Sequence, residues 1–311
     1  DKMSNLVKML KAGKWDESES FIKEIIGEDI KNVEPLKEVT EELWKRGQQQ
    51  RAIHFLTALS SSKLASPTLY LETLKMLVEY NPTHKNLMDD LVKAYLKVYD
   101  DRSYLQKWLK DLLEKKRSVP DKFIKIVDKL VLFKEGSIVK HKSGWGIGKI
   151  VSINELDASM VVNLQKQPNH KMNVFAAAEC LTSLPSDNFE AMLTYEIDKL
   201  KKEAAENPIN LVKRVLKFTG ESTSSKDLKE YLCPKIDNKN DDDSKARIIE
   251  AENWNKWWAN TRKLMLADPY IEVSNETHSK YKLREESIEW EKEIIDVLNK
   301  KIGRASCRER V

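Results

Sequence analysis

Between residues 6 and 116 the apolar positions return every third or fourth residue, as in Leu6, Met9 and Leu10 and again in Leu87, Leu91, Tyr95, Val98 and Tyr99. That spacing places them on one stripe of an α-helix, so the stretch is predicted to be helix after helix. The pattern pauses at Ser118-Val-Pro120, and one more amphipathic helix is expected over 121–132 before Phe133-Lys-Glu-Gly136. There the period changes from that of a helix to that of a strand. Four short β candidates follow at 137–142, 147–154, 159–165 and 170–175, separated by Gly144 and Gly146, by Leu156-Asp157-Ala158 and by Pro168-Asn169. From Asp187 helical spacing returns over 190–206, 208–218, 226–232 and 246–267, the last carrying Trp254, Trp257 and Trp258. Asp237 to Ser244 contains no apolar residue, which predicts a mobile loop over 237–245. After Asp268-Pro269, 270–273 and 280–284 flank a polar turn and predict a β-hairpin over 270–284, and 287–301 is expected to be a final helix.

Two of these regions have a more specific pattern. In the helical part, Leu10-Lys-Ala-Gly13 aligns with Trp44-Lys-Arg-Gly47 at an offset of 34, which also superposes Ser18 on Ala52 and Phe21 on Phe55. This is the period of tetratricopeptide-like (TPR-like) helical pairs, and a third unit is expected to open at Asn81-Pro82. In the β part, Met160, Val162 and Leu164 fall on one face. Four strands within about 40 residues leave no room for crossover helices, so they must pair as antiparallel meanders. To bury one face they are expected to curl into a small barrel, SH3-like or Tudor-like in its simplest form. The expected fold is therefore mostly α with a small β module: a helical-repeat region at 1–132, a barrel at 133–185, and a helical region with a hairpin at 186–301.

Composition adds limits. At 311 residues, with 41% hydrophobic and 33% charged, the chain is long enough for two or three cores and reads as a soluble globular protein. No run approaches the roughly 18 apolar residues of a membrane span, and the first residues lack the order of a signal peptide, so a cytoplasmic protein with no membrane partner is expected. Cys180, Cys233 and Cys307 have neither metal-type spacing nor the even count of a disulfide framework. A formal charge of +4 gives the whole chain little pull on nucleic acid, so any basic surface must be local. The last ten residues, IGRASCRERV (302–311), read as an in-frame translation of a sequencing adapter and are set aside. Three arginines, one glutamate and Cys307 go with them, and the natural protein is expected to continue beyond Lys301.

The segment HKSGWGIGKI (141–150) raises the functional question. Gly144 and Gly146 bracket Trp145 where the first strand must turn into the second. Two roles fit the tryptophan: a core aromatic that caps the open end of the barrel, or a partner-contacting residue at its mouth with Lys140, His141 and Lys142 beside it. A dinucleotide fingerprint is excluded, because the glycines at 144, 146 and 148 have the wrong spacing and no helix follows to hold a phosphate. Trp254, Trp257 and Trp258 share one helix face, which serves either as a packing edge or as a surface for a protein or a base. Lys213, Arg214 and Lys217 near Phe218 form a modest positive patch. The five histidines, His54, His84, His141, His170 and His278, show no zinc spacing, and neither a nucleophile elbow nor a Cys/His signature is present. No cofactor is expected, and a binding protein is expected in preference to an enzyme.

Phe133 to Ile150, Asn169-His-Lys-Met172, Leu181 to Pro185 and Trp254-Asn-Lys-Trp-Trp258 together resemble the N-terminal extension of long-form GreA-type (Gre family) transcription elongation factors. The β segment is also similar to the Tudor-like domain of CarD-type regulators. The resemblance implies helical repeats and a small β module ahead of the Gre domains, RNA polymerase as partner, and possible contact with nucleic acid inside the elongation complex. In that family, transcript cleavage depends on acidic residues at a coiled-coil tip. Asp241-Asp-Asp243 has no long heptads around it, so no cleavage residue is carried over. Two other readings stay open: a TPR-like interaction scaffold with no role in transcription, and an RNA-binding module.

Overall fold

A computed structural model of the chain describes residues 2–26, 34–61, 66–114, 119–235, 247–274 and 279–284. The expectations for the loop at 237–245, the tip of the hairpin, the helix at 287–301 and the tail at 302–311 lie outside those residues. The chain divides into two compact units between Ser183 and Leu184.

The first unit opens with α1 (Lys2–Lys11), α2 (Trp15–Ile26), α3 (Glu34–Lys45), α4 (Gln49–Ser61), α5 (Pro67–Tyr80), α6 (Leu87–Val98), α7 (Leu105–Glu114) and α8 (Pro120–Leu130). The helical stripe is buried as its spacing requires: Leu6, Leu10, Leu36, Val39 and Leu43 are inaccessible to solvent. Helix α1 packs on α2 and α3, α3 on α4, α4 on α5 and α5 on α6. The two copies of the aligned segment close their helices in the same way. Gly13 N–H donates to Leu10 O and Lys14 N–H to Met9 O, and at the second copy Gly47 N–H donates to Trp44 O and Gln48 N–H to Leu43 O. This pair of bonds is a Schellman closure, with the glycine in the left-handed region in each case. Between α5, α6 and α8, Asp128 accepts from Tyr95 Oη at 2.6 Å and pairs with Lys75 Nζ at 2.8 Å. Burial, reinforced by the hydrogen bond and charge of Asp128, pushes the Tyr95 phenol above its ordinary pKa.

A five-stranded antiparallel sheet follows, curled into half a barrel in the order β4-β3-β2-β1-β5. Its strands are β1 (Ile138–His141), β2 (Ile147–Asn154), β3 (Ser159–Leu164), β4 (His170–Asn173) and β5 (Leu181–Leu184), with α9 (Val174–Cys180) inserted before the last. The register pairs Val139 with Gly148, Ile150 with Val162 and Met160 with Met172. A shift between Ile150 and Ser152 leaves Val151 as an exposed bulge residue, which increases the local twist and helps the sheet to curl. Its concave face carries Val139, Ile150, Met160, Val162 and Leu164, and the same core includes Trp108, Leu130 and Phe133 from the helical layer. Indole Nε1 of Trp108 donates to Glu155 O at 3.2 Å, and Lys107 Nζ donates to Leu156 O.

In the sheet, the fourth strand is shorter than the sequence reading, and a helix and a fifth strand are added to it. The fourth strand stops at Asn173, whose side chain accepts from Phe175 N–H at 2.9 Å and so caps α9. A cap followed by Val-Phe-Ala-Ala-Ala outweighs the β-like alternation before it. The chain then returns as β5 to lie beside β1.

The second unit contains α10 (Phe189–Tyr195), α11 (Ile197–Glu206), α12 (Pro208–Thr219), β6 (Thr223–Ser224), α13 (Ser225–Leu232), α14 (Trp254–Ala267), β7 (Ile271–Val273) and β8 (Lys280–Leu283). The stretch at 190–206 is two helices divided at Glu196, and α14 begins at Trp254 rather than at 246. The reason for the later start is local: the amides of Ile248 and Ile249 both donate to Leu232 O, at 3.1 and 3.0 Å, and both side chains are buried. The expected hairpin is present as β7 and β8, and β6 joins it in the order β6-β8-β7.

Replacing Trp108 by Phe removes the donor to Glu155 O and part of a fully buried ring. The expected loss is about 1–3 kcal/mol of unfolding free energy, measured by urea denaturation. A loss below about 0.5 kcal/mol would mean that the indole does not join the helices to the sheet.

Candidate functional site

The glycine-bent corner between β1 and β2 is built from the backbone outward. At the end of β1, His141 N–H donates to Gly146 O at 3.1 Å, which closes the loop that carries Trp145. Gly146 has φ +85°, and a Cβ there would meet Gln165 Oε1 at 2.2 Å. That same oxygen accepts from Ile147 N–H at 2.9 Å, so the side chain of Gln165 takes the space that a larger residue would fill. A Cβ on Gly148 would meet Asn163 O at 2.4 Å, because the paired strand β3 runs close beside it. The glycines therefore let β2 pair closely beside β3 and let the chain bend at the corner.

Trp145 lies half-buried at this corner. Its ring stacks on the His141 imidazole, with centroids 4.2 Å apart and planes at 14°, and meets His170 edge-on at 5.1 Å. His141 is itself buried, and its Nδ1 accepts from Ser143 N–H at 3.1 Å. An acceptor nitrogen is a neutral one. Burial, and secondarily the charge of His170, accordingly lowers the His141 pKa below 6.5. Lys140 and Lys142 are exposed on either side of His141. Lys142 N–H donates to Cys180 O, and Lys129 Nζ donates to Leu181 O at 3.2 Å. Burial first, and then the charge of Lys142, lowers the Lys129 pKa. Of the sequence-derived candidates, Lys140, His141, Lys142 and Trp145 thus lie together.

The other three candidates lie in the second unit, and they face inward. Trp254 is buried, while Trp257 and Trp258 are half-buried against the same core. Trp254 and Trp258 stack at 5.6 Å and 8°, Trp258 meets Tyr281 edge-on at 5.7 Å, and Trp257 Nε1 donates to Ala204 O at 2.8 Å. The shared helix face is the one that fastens α14 to α11 and β8. The opposite face exposes Asn255, Lys256, Ala259, Asn260 and Lys263, and the hairpin adds Lys280 and Lys282. A cleft of about 590 Å³ on the α12 side of this unit contains the Lys213–Arg214–Lys217 patch, together with Tyr270 and Arg284. The partnership of Trp145 with His170, and the meeting of Lys217 and Arg284 in one cleft, bring together residues distant in sequence and left no local signal.

Residues 191–288 match the family described as the GRAD helix-turn-helix domain. Over 136 residues the chain is 26% identical to a protein of Chlamydia pneumoniae named transcription elongation factor GreA, covering 43% of this chain and 17% of that one. Over 143 residues it is 25% identical to the GreA of Chlamydia trachomatis serovar D, covering 46% and 18%. The chain spans less than a fifth of the length of these curated relatives. No solved structure matches it. Among the described residues no helix is long and apolar enough to cross a membrane.

The imidazole of His141 supplies a pH test. Its folded-state pKa lies below the unfolded value, so the unfolded chain binds more protons in the window between the two. The stability it contributes is complete above about pH 6.5 and falls as the pH drops below that value. Asp157 and Asp227 are shifted down mainly by hydrogen bonds from Ser159 and Ser224, and lose their contribution only in the acid range of carboxylates. The urea midpoint is expected to fall between about pH 7 and pH 5.5, and to fall less in His141→Gln. Equal pH dependence in both proteins would remove the imidazole as the cause.

Proposed function

We propose that this chain is a non-catalytic N-terminal part of a Gre-type transcription elongation factor that docks on RNA polymerase through the Trp145 corner of the curled sheet. The observation that supports this reading most directly is the corner itself: a tryptophan backed by two imidazoles, with part of its ring left open and Lys140 and Lys142 exposed beside it. Aromatic anchors rimmed by charge supply much of the energy of protein interfaces. The similarity to two proteins named GreA supplies the context. In this reading the curled sheet is a Tudor-like module, and the glycine-closed helix pairs of α1–α4 are TPR-like repeats that extend the docking surface. Cleavage of backtracked RNA belongs to a coiled-coil part outside this chain, and these residues carry no enzymatic step.

The test is capture of core RNA polymerase by the full chain. Trp145→Ala, with unchanged circular dichroism, is expected to weaken binding about thirtyfold, the effect of losing an interface anchor. The wild-type chain is expected to bind without stimulating transcript cleavage. Equal capture by wild type and variant removes Trp145 from the interface, and stimulated cleavage by this chain overturns the non-catalytic assignment.

A second reading rests on the helix-turn-helix match and concerns nucleic acid within the elongation complex. The outer face of α14, with Lys256 and Lys263, and the β7–β8 hairpin, with Lys280 and Lys282, are the groups suited to phosphate contact. Lys256→Ala combined with Lys263→Ala is expected to reduce the slope of log affinity for duplex DNA against log salt by about 2. An unchanged slope would show that α14 does not meet the backbone.

A further inference from the structure

Beyond the corner and the outer face of α14, the structure assigns a second binding site: the cleft between α12 and the β7–β8 hairpin takes a phosphate carried on a planar base, that is, a nucleoside phosphate. The argument begins with which of its cations are already neutralised. Arg214 is spent within the fold, with Nε and Nη2 each donating to Glu203 at 3.0 Å and Nη1 donating to Asp187 O at 2.6 Å. The hydrogen bond to Glu203, ahead of that carboxylate's charge and of Asp187, holds its pKa above the ordinary value. Lys213 is spent as well, on Asp268 at 2.7 Å, with its ammonium 4.9 Å from the centre of the Tyr270 ring.

Two cations remain. Lys217, one turn along α12 from Lys213, is exposed in the cleft and has no partner among the described residues. Arg284, at the end of β8, has an Nη1 that is buried and accepted by no group among the described residues. A buried guanidinium nitrogen without an acceptor is unfavourable, and a turn of the Arg284 side chain toward an anion in the cleft that it lines would give it an oxygen and offset that cost. The two groups come from different elements and line one cleft, so the fitting anion presents several acceptor oxygens, as phosphate does.

Asp187 and Glu203, the carboxylates of the lining, lie with Asn188, Asn210, Pro185 and Leu283 beside three aromatic rings. Tyr270 is 42% exposed, and Phe218 is half-buried and braced by Phe189 at 5.7 Å and Tyr231 at 5.7 Å. These are surfaces for a flat ring, which inorganic phosphate alone would leave uncovered. The cleft, at about 590 Å³, lies within the usual size of small-molecule sites. The ligand is either a free nucleotide or the phosphorylated end of an RNA strand, which share this chemistry.

Calorimetric titration of the full chain with AMP, adenosine, inorganic phosphate, and a short single-stranded RNA bearing a 5′-phosphate or a 5′-hydroxyl tests the assignment. AMP or the 5′-phosphorylated RNA is expected to bind, with adenosine, phosphate and 5′-hydroxyl RNA each about tenfold weaker or more. Lys217→Ala and Tyr270→Ala, both at exposed positions, are each expected to weaken that binding about tenfold. Lys201→Ala, at an exposed position of α11 outside the cleft, is expected to leave it unchanged. Tighter binding of the phosphorylated RNA than of AMP assigns the cleft to an RNA end, and equal binding assigns it to a free nucleotide. The proposal is overturned if neither binds at about 1 mM. It is overturned equally if Lys217→Ala and Tyr270→Ala bind as the wild type does, or if Lys201→Ala weakens binding as much as they do.

Discussion

A five-stranded sheet that closes only half a barrel has one apolar face too many for its own side chains to cover. In this chain the cover comes from the helical layer: Trp108, Leu130 and Phe133 complete the core begun by Val139, Ile150, Met160, Val162 and Leu164. The donation from Trp108 Nε1 to Glu155 O and that from Lys107 to Leu156 O fix the β2–β3 turn against α7. The order of β2 against β3, and hence the position of the glycine corner, depends on this contact. Burial of the shared apolar face supplies the driving force, and the two hydrogen bonds orient it.

Much of the fold could be read from hydrophobic spacing because each element is long enough to show its period. The strand at 159–164 alternates cleanly, and the helices of α5–α8 keep a continuous stripe. What escaped was settled by single side chains or by distant partners. Asn173 turns an alternating run into a helix by capping it, and Leu232 O holds Ile248 and Ile249 out of α14. Neither effect has a period. The aligned segment at an offset of 34 was visible because its glycine marks a backbone geometry, and both copies adopt that geometry.

The candidate site was legible to a similar degree. Glycines around a tryptophan indicate a bend, and Lys140, His141, Lys142 and Trp145 occupy one corner. Spacing alone placed Trp254, Trp257 and Trp258 on a common face but not the direction of that face, which is decided by Ala204 O and the Tyr281 ring. A cluster of aromatics on a helix is equally compatible with a core and a surface until its partners are known. Cations are harder still to read. Lys213, Arg214 and Lys217 look equivalent in sequence, yet Asp268 and Glu203 neutralise the first two and leave the third open.

The close approach of β3 beside Gly148 also has a genetic consequence. Every substitution at the first or second base of a glycine codon places a side chain, or a stop, at that position. A Cβ at 148 has only 2.4 Å to the Asn163 carbonyl. The codon is therefore free to drift at its third base alone, whereas the exposed bulge residue Val151, three positions on, can exchange among many side chains at little cost to the fold. Within one strand, mutational tolerance passes from almost none to broad over the length of a single bulge.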